Sequence, residues 1–333
     1  MSRLLQIFPF LRDPMIAVLV IATALALVLP AAGEARSAAT TVSSIGIFVL
    51  FLVNGMRIRR SEIARGIANW RYFGPLMLFV FGAMALLGLG FGWLAGTVLP
   101  PLVALGFVFL GCLPSTVQSA TSYTSLAEGN VALAVVGAAL INIAGVAVSA
   151  PLFALVGGVG AADVGLEAIG RIFLILVLPF AIGQAVQDRF IDKLIAHKAT
   201  AAWLDRSVIG IAVYVAFSGA VEQGLATMFA PADWAALVVL VLAMLVLALG
   251  AAWGTGRRLL GLPRGDAIAF LFAGSQKSVA VGAPLAAILF PPASAGFVIA
   301  PLLLYHLAQL VLAAPLAMRL ARGGRSGVFP TGG

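Results

Sequence analysis

Apolar blocks of bilayer-spanning length recur from one end of this chain to the other, at roughly 14–31, 38–56, 73–96, 98–127, 130–157, 167–187, 207–230, 233–256, 265–290 and 292–319. A helix needs about 20 apolar residues to cross the hydrocarbon core, where no water is present to satisfy an exposed backbone. The blocks therefore predict an all-α polytopic membrane protein with ten transmembrane helices. Composition agrees, since 62% of the 333 residues are hydrophobic and 10% charged, whereas soluble domains carry about a quarter charged residues. The first block ends at Leu29-Pro30 without a small-x-small cleavage pattern, so it reads as a true span and not as a removable signal peptide.

The net charge of +8 raises the question of a nucleic-acid partner. With both termini placed in the cytoplasm, 17 of the 20 Lys and Arg residues fall on the inner side: Arg3, Arg12, Arg57, Arg59, Arg60, Arg65, Arg71, Arg189, Lys193, Lys198, Arg206, Arg257, Arg258, Arg264, Arg319, Arg322 and Arg325. Arg36 and Arg171 are outside, and Lys277 falls within the membrane. This is the positive-inside pattern of a multi-pass protein of the cell (inner) membrane, and the lipid bilayer alone accounts for it without nucleic acid. Cys112 has no second cysteine to pair with, and the two histidines, His197 and His306, join no cluster with metal-ligand spacing. No metal site is expected.

Two blocks are interrupted. The fourth breaks at "GCLPST" (111–116) and the ninth at "GSQKS" (274–278), 163 residues apart from Gly111 to Gly274. Halves of five helices each start from opposite faces, so residues 1–157 and 158–333 are predicted to be inverted repeats whose broken helices cross near mid-membrane, as in secondary transporters. Pro114 lacks an N–H and stops its helix, leaving carbonyls unpaired. Ser115-Thr116-Val117-Gln118 then fits a capping box for a new half-helix. Exposed backbone of this kind is tolerated only where it lines a cavity or packs on protein; an ordinary proline kink is the plainer alternative.

Polar residues around the breaks are Ser119, Thr121, Ser122, Tyr123, Thr124, Ser125, Asn130, Asn142, Ser275, Gln276, Ser278 and Gln309. For any one of them, binding a neighbouring helix is the better reading than binding a ligand. Glu222 is placed in water at the outer end of span seven, Asn54 at a helix end, and Gly137, Ala138, Gly145 and Ala147 in tight helix packing. The candidate substrate or ion-binding set is Lys277, Ser275, Gln276, Ser278, Pro114, Ser115, Thr116, Gln118, Ser119, Ser122 and Asn130.

"GCLPSTVQSATSYTSLAEGNVALAVV" and "FAGSQKSVAVGAPLAAILF" resemble the paired crossing segments of the bile acid:sodium symporter superfamily. "NGMRIRRSEIARGIANWR" and "VYVAFSGAV" are similar to its branch containing solute carrier family 10 member 7 and bacterial relatives. The resemblance spans essentially the whole chain. It implies a core domain of helices 3–5 and 8–10, a panel domain of helices 1, 2, 6 and 7, and a substrate cavity between them that alternates its access. In sodium-coupled members the ninth span supplies a glutamate and, four residues on, a glutamine; Ala273 and Lys277 stand there in this chain. Hydroxyl ligands of span five fall on Ala134 and Ala138, and an asparagine beside Ser119 falls on Ala120. The sodium chemistry implied by the family is thus dismantled at one site or more.

Lys277 is the only ionisable residue between Ala267 and Phe290. A charge at mid-membrane costs about 2.5–3.5 kcal/mol even on the insertion scale, and the half-helix beginning near Ser278 presents a positive end as well. Lys277 needs a negative partner. The carbonyls ending the half-helices near Cys112 and Gly274, a bound anion, or loss of its proton would each answer; the first makes the ammonium a built-in substitute for sodium. Snorkelling to an interface is the bland alternative. The function expected is secondary transport of a small or amphipathic organic anion, with sodium, proton or no coupling all open and no oligomeric state specified. From other classes, a non-transporting membrane regulator has no reason to retain a buried charge, and a hydrolase using Ser275 or Ser278 with Lys277 lacks an evident oxyanion site.

Overall fold

The computed structural model describes residues 14–57, 59–61, 64, 68–157, 170, 173–224 and 230–325. Arg3, Arg12, Arg65 and Arg171, and the segment 158–169 with which the second repeat is expected to begin, lie outside them. Among the described residues there is helix and no strand: α1 (Pro14–Val28), α2 (Gly33–Arg57), α3 (Trp70–Ala95), α4 (Pro101–Cys112), α5 (Val117–Leu126), α6 (Val131–Val156), α7 (Phe173–Ala196), α8 (Lys198–Glu222), α9 (Pro231–Leu259), α10 (Arg264–Ser275), α11 (Val279–Leu289) and α12 (Pro292–Arg325). Among the described residues eight spans are long and apolar enough to cross a bilayer, taking α10 and α11 together, and α4 with α5, bent by 64°, makes a ninth. At 15 residues α1 is shorter than the ~20 a span needs.

The helices end where the sequence changes character. Pro101 and Pro231 occupy first turns, where a missing N–H costs nothing. Asn130 caps α6, its Oδ1 accepting from the Leu133 N–H at 3.2 Å. In α3 the helix widens to a π turn at Phe79–Ala83. There the Met84 N–H bonds the Phe79 carbonyl, five residues back, and not that of Val80.

Packing gathers α1 and α2 with α7 and α8, and α3–α6 with α9–α12; α8 also lies along α11 and α12. The α10–α11 pair is almost wholly enclosed by other helices. Close approach depends on glycine where α3 meets α4: a Cβ on Gly88 would lie 2.8 Å from the Gly111 Cα. A Cβ on Gly145 would lie 2.5 Å from Pro114, so α6 seats directly on the break between α4 and α5. Gly137 and Ala138 are packed as expected, but Ala147 is exposed: it sits on the face of α6 turned away from the buried Gly145 and Val146.

Most described basic residues cluster at one end of the bundle. Arg57 Nη1 meets Asp205 Oδ2 at 2.6 Å, Arg60 Nη1 meets Asp188 Oδ2 at 3.1 Å, and Arg264 donates to the Leu320 carbonyl. At the opposite end Glu222 is not solitary in water: it pairs with Arg36 across α8 and α2. The packing of α2 against α8 brings the start of one beside the end of the other, and an acid placed beside a guanidinium pairs with it.

Candidate functional site

The two interruptions meet. Leu113 is extended after α4 (φ −80°, ψ 152°) and Gln276 after α10 (φ −75°, ψ 146°). The Ser278 N–H donates to the Pro114 carbonyl at 3.0 Å, tying one break to the other. Asn142 on α6 donates to the Ser115 carbonyl at 2.7 Å, and the Tyr305 hydroxyl donates to the Ser275 carbonyl at 2.8 Å. Side chains thus occupy carbonyls that a continuous helix would have paired itself.

Lys277 is fully buried. Its Nζ donates to the Leu113 carbonyl at 2.6 Å and the Gly111 carbonyl at 3.0 Å, with the Val80 carbonyl at 3.5 Å. The ammonium is therefore spent on the C-terminal end of α4, where the helix dipole is negative, and on the carbonyl that the π turn of α3 releases. The carbonyls at the end of α10 are not its partners, because Tyr305 takes Ser275 and the Gln276 N–H takes Phe272. The Lys277 backbone is held as firmly: Gln309 Oε1 accepts its N–H at 2.8 Å and Gln309 Nε2 donates to its carbonyl at 3.1 Å.

Beside this crossing lies a cavity of about 500 Å³, within the range of small-molecule sites. One wall comes from α1, α2, α7 and α8, the other from α5, α6, α11 and α12. Apolar side chains such as Leu50, Phe51, Val146 and Val281 alternate with Asn54, Asn142, Ser278 and His306. Arg57, Asp205 and Arg206 mark its basic end. Asn54 and Asp205 both accept from Arg57 Nη1, while Arg206 stacks on Trp203 with 5.4 Å between Cζ and ring centre.

Of the residues singled out from sequence, Thr116, Gln118, Ser119, Ser122 and Ser278 line the cavity. Pro114, Ser115, Ser275, Gln276 and Lys277 are buried in the crossing behind that wall. Ser119 donates to Gln276 Oε1 at 2.6 Å and so joins the two groups. Two readings are corrected. The capping box fails: Thr116 is the cap residue of α5, with no side-chain bond, because the Ser115 carbonyl is turned to Asn142 and the helix begins one residue later. Asn130 is remote from the cavity, capping α6 and donating to Asp266 at 2.9 Å. Asn54 stands in the last turn of α2, as expected of a helix end, and also lines the cavity. The serine–lysine pairing also has no geometry here, as Ser275 donates to Leu271 and Ser278 accepts from the Val281 N–H.

A profile of the SBF-like CPA transporter family matches residues 13–322. The chain belongs to that family. The putative symporter YfeH of Escherichia coli is 34% identical over 313 residues, 93% of either chain. The Pseudomonas aeruginosa protein PA2026 is 37% identical over 319 residues, 94% of either chain. The mouse sodium/bile acid cotransporter 7 is 25% identical over 278 residues, 83% of this chain and 82% of that one. As a member of the SBF-like CPA transporter family, the chain is a multi-pass membrane protein of transporter type, in the branch that its segments 54–71 and 213–221 resemble.

Proposed function

We propose that the protein is a secondary-active transporter of a small or amphipathic organic anion, working by alternating access at the cavity beside the crossed helices. Ten spans in two inverted five-helix repeats, with helices 1, 2, 6 and 7 as the panel and the rest as the core, provide the moving parts. Both termini are then cytoplasmic and the cavity faces inward, its basic end carrying Arg57 and Arg206 against Asp205. Two cations against one acid favour an anion at that end. The apolar lining suits an organic body.

The observation that carries this reading is the Lys277 ammonium on the Gly111 and Leu113 carbonyls. A covalent cation there does what a bound sodium ion would do: it neutralises the end of α4 and holds the crossing in shape. Sodium is then not required for transport. The relatives' names supply the first probe, a bile acid. Purified protein in proteoliposomes should take up taurocholate or another organic anion from a panel at equal rates in sodium and potassium media, and the same anion should raise its melting temperature. Uptake strictly driven by a sodium gradient would refute the substitution.

A further inference from the structure

Gln309 ties Lys277 to a titratable group in the cavity wall. Because Gln309 Oε1 must accept the Lys277 N–H, its nitrogen is the atom that faces both the Lys277 carbonyl at 3.1 Å and His306 Nδ1 at 2.9 Å. An amide nitrogen only donates, so Nδ1 accepts and the imidazole carries its proton on Nε2. His306 Nδ1 also lies 3.4 Å from the Lys277 carbonyl, the group that Gln309 serves.

We propose that His306 is the proton-binding group of this cavity, and that a proton on Nδ1 releases the crossing from Gln309. This deepens the transport reading and rests on it for its purpose. A protonated Nδ1 presents an N–H to the Gln309 N–H at 2.9 Å, a contact between two donors that neither tolerates. It has an acceptor ready in the Lys277 carbonyl. The imidazolium takes that carbonyl, Gln309 turns away, and its Oε1 leaves the Lys277 N–H. Proton binding at the cavity is thereby converted into loosening of the backbone that positions Lys277 and opens α11.

His306 lies at 8% exposure and forms part of the cavity wall. The charged and titratable groups on the elements packed against α12 are few. On α8, Asp205 and Arg206 share the cavity, with Arg57 of α2 beyond them. On α5, Tyr123 turns its hydroxyl to the Leu310 carbonyl at 2.9 Å. On α4, Cys112 is buried, and Lys277 itself directs its ammonium away, to α4. The remaining ones, Lys198, Tyr214 and Glu222 on α8 and Asp233, Arg257 and Arg258 on α9, lie outside the cavity wall.

The test needs no substrate. In full-length protein in lipid nanodiscs, His197→Gln leaves His306 as the sole imidazole for nitrogen NMR, and Ala280→Cys places a thiol in the cavity wall beside the crossing. Nδ1 should be unprotonated at alkaline pH and protonated on acidification across the histidine range of about pH 5–8. The Ala280→Cys labelling rate, normalised to an exposed thiol, should change in the same step by about tenfold, the effect of one lost hydrogen bond. His306→Asn keeps an acceptor near the Nδ1 position and cannot titrate, so its labelling should stay at the alkaline native value at every pH. A His306 ring that keeps one form throughout, or a pH step that survives in His306→Asn, overturns the proposal. The step with no anion uptake in proteoliposomes would uphold the switch and overturn transport; sodium-independent uptake without the step would do the reverse.

Discussion

Replacing Lys277 with glutamine tests the central assignment, because the amide retains polarity and removes the charge. The native ammonium makes two short charge-assisted bonds, at 2.6 and 3.0 Å. Bonds to a charged group contribute about 1.5–3 kcal/mol each and neutral ones about 1, so glutamine forfeits roughly 1–4 kcal/mol over the pair. Relief from holding a charge at mid-membrane returns about 2.5–3.5 kcal/mol. These nearly cancel, so Lys277→Gln should fold, while the α4 carbonyls lose their counter-charge. Thermal unfolding in matched sodium and potassium chloride reads the consequence. The native melting temperature should be the same in both salts. Lys277→Gln should gain at most a small sodium-specific stabilisation, about 0.4 kcal/mol where sodium equals its dissociation constant, since Ala273, Ala134 and Ala138 offer no side-chain ligands. Its anion uptake should be lost, with partial recovery at high sodium. A native protein stabilised by sodium, together with a Lys277→Gln protein unchanged in uptake and ion dependence, would show that the lysine replaces no cation.

Pro114→Ala should let α4 propagate toward α5 and lower anion uptake more than it lowers folded yield, measured by comparing flux with size-exclusion recovery. Arg206→Gln should weaken uptake of anions by about the worth of one partly exposed charge, up to 1 kcal/mol or roughly fivefold, without changing the melting temperature. Asp266→Asn should cost about 1 kcal/mol of stability through its contact with Asn130 and leave transport specificity unchanged, since that contact lies away from the cavity. Cysteines at positions 59 and 258 should label from the cytoplasm and those at 34 and 233 from outside; a reproducible reversal would overturn the topology.

Apolar length and two interruptions were enough to read the helical membrane fold and the crossing, because both follow from backbone hydrogen bonding in a medium without water. Lys277 stood out for the same reason. What escaped was side-chain direction. Ser115 fits a cap by type and spacing, but a neighbouring helix claimed its carbonyl. Asn130, directly before an apolar run, carried the ordinary signal of a helix cap and was counted as a ligand instead. His306 and Gln309 stand three apart on one helix face, a spacing that was legible as a pair. The π turn has no such mark, since "FVFGA" is ordinary apolar helix in composition, and only its backbone pairing sets it apart.

That π turn carries an evolutionary implication. One residue inserted at Phe79–Ala83 rotates everything after it by about 100° relative to everything before, and it is this extra residue that leaves the Val80 carbonyl available to Lys277. The insertion and the lysine are 197 positions apart, yet neither is of use alone: an unpaired carbonyl without the ammonium is a penalty, and a buried ammonium with one acceptor fewer is another. The two should therefore be inherited as a unit. Lineages that carry glutamine at position 277 should align with a one-residue deletion in the third span, and a chimaera exchanging only one of the two segments should be less stable than either parent.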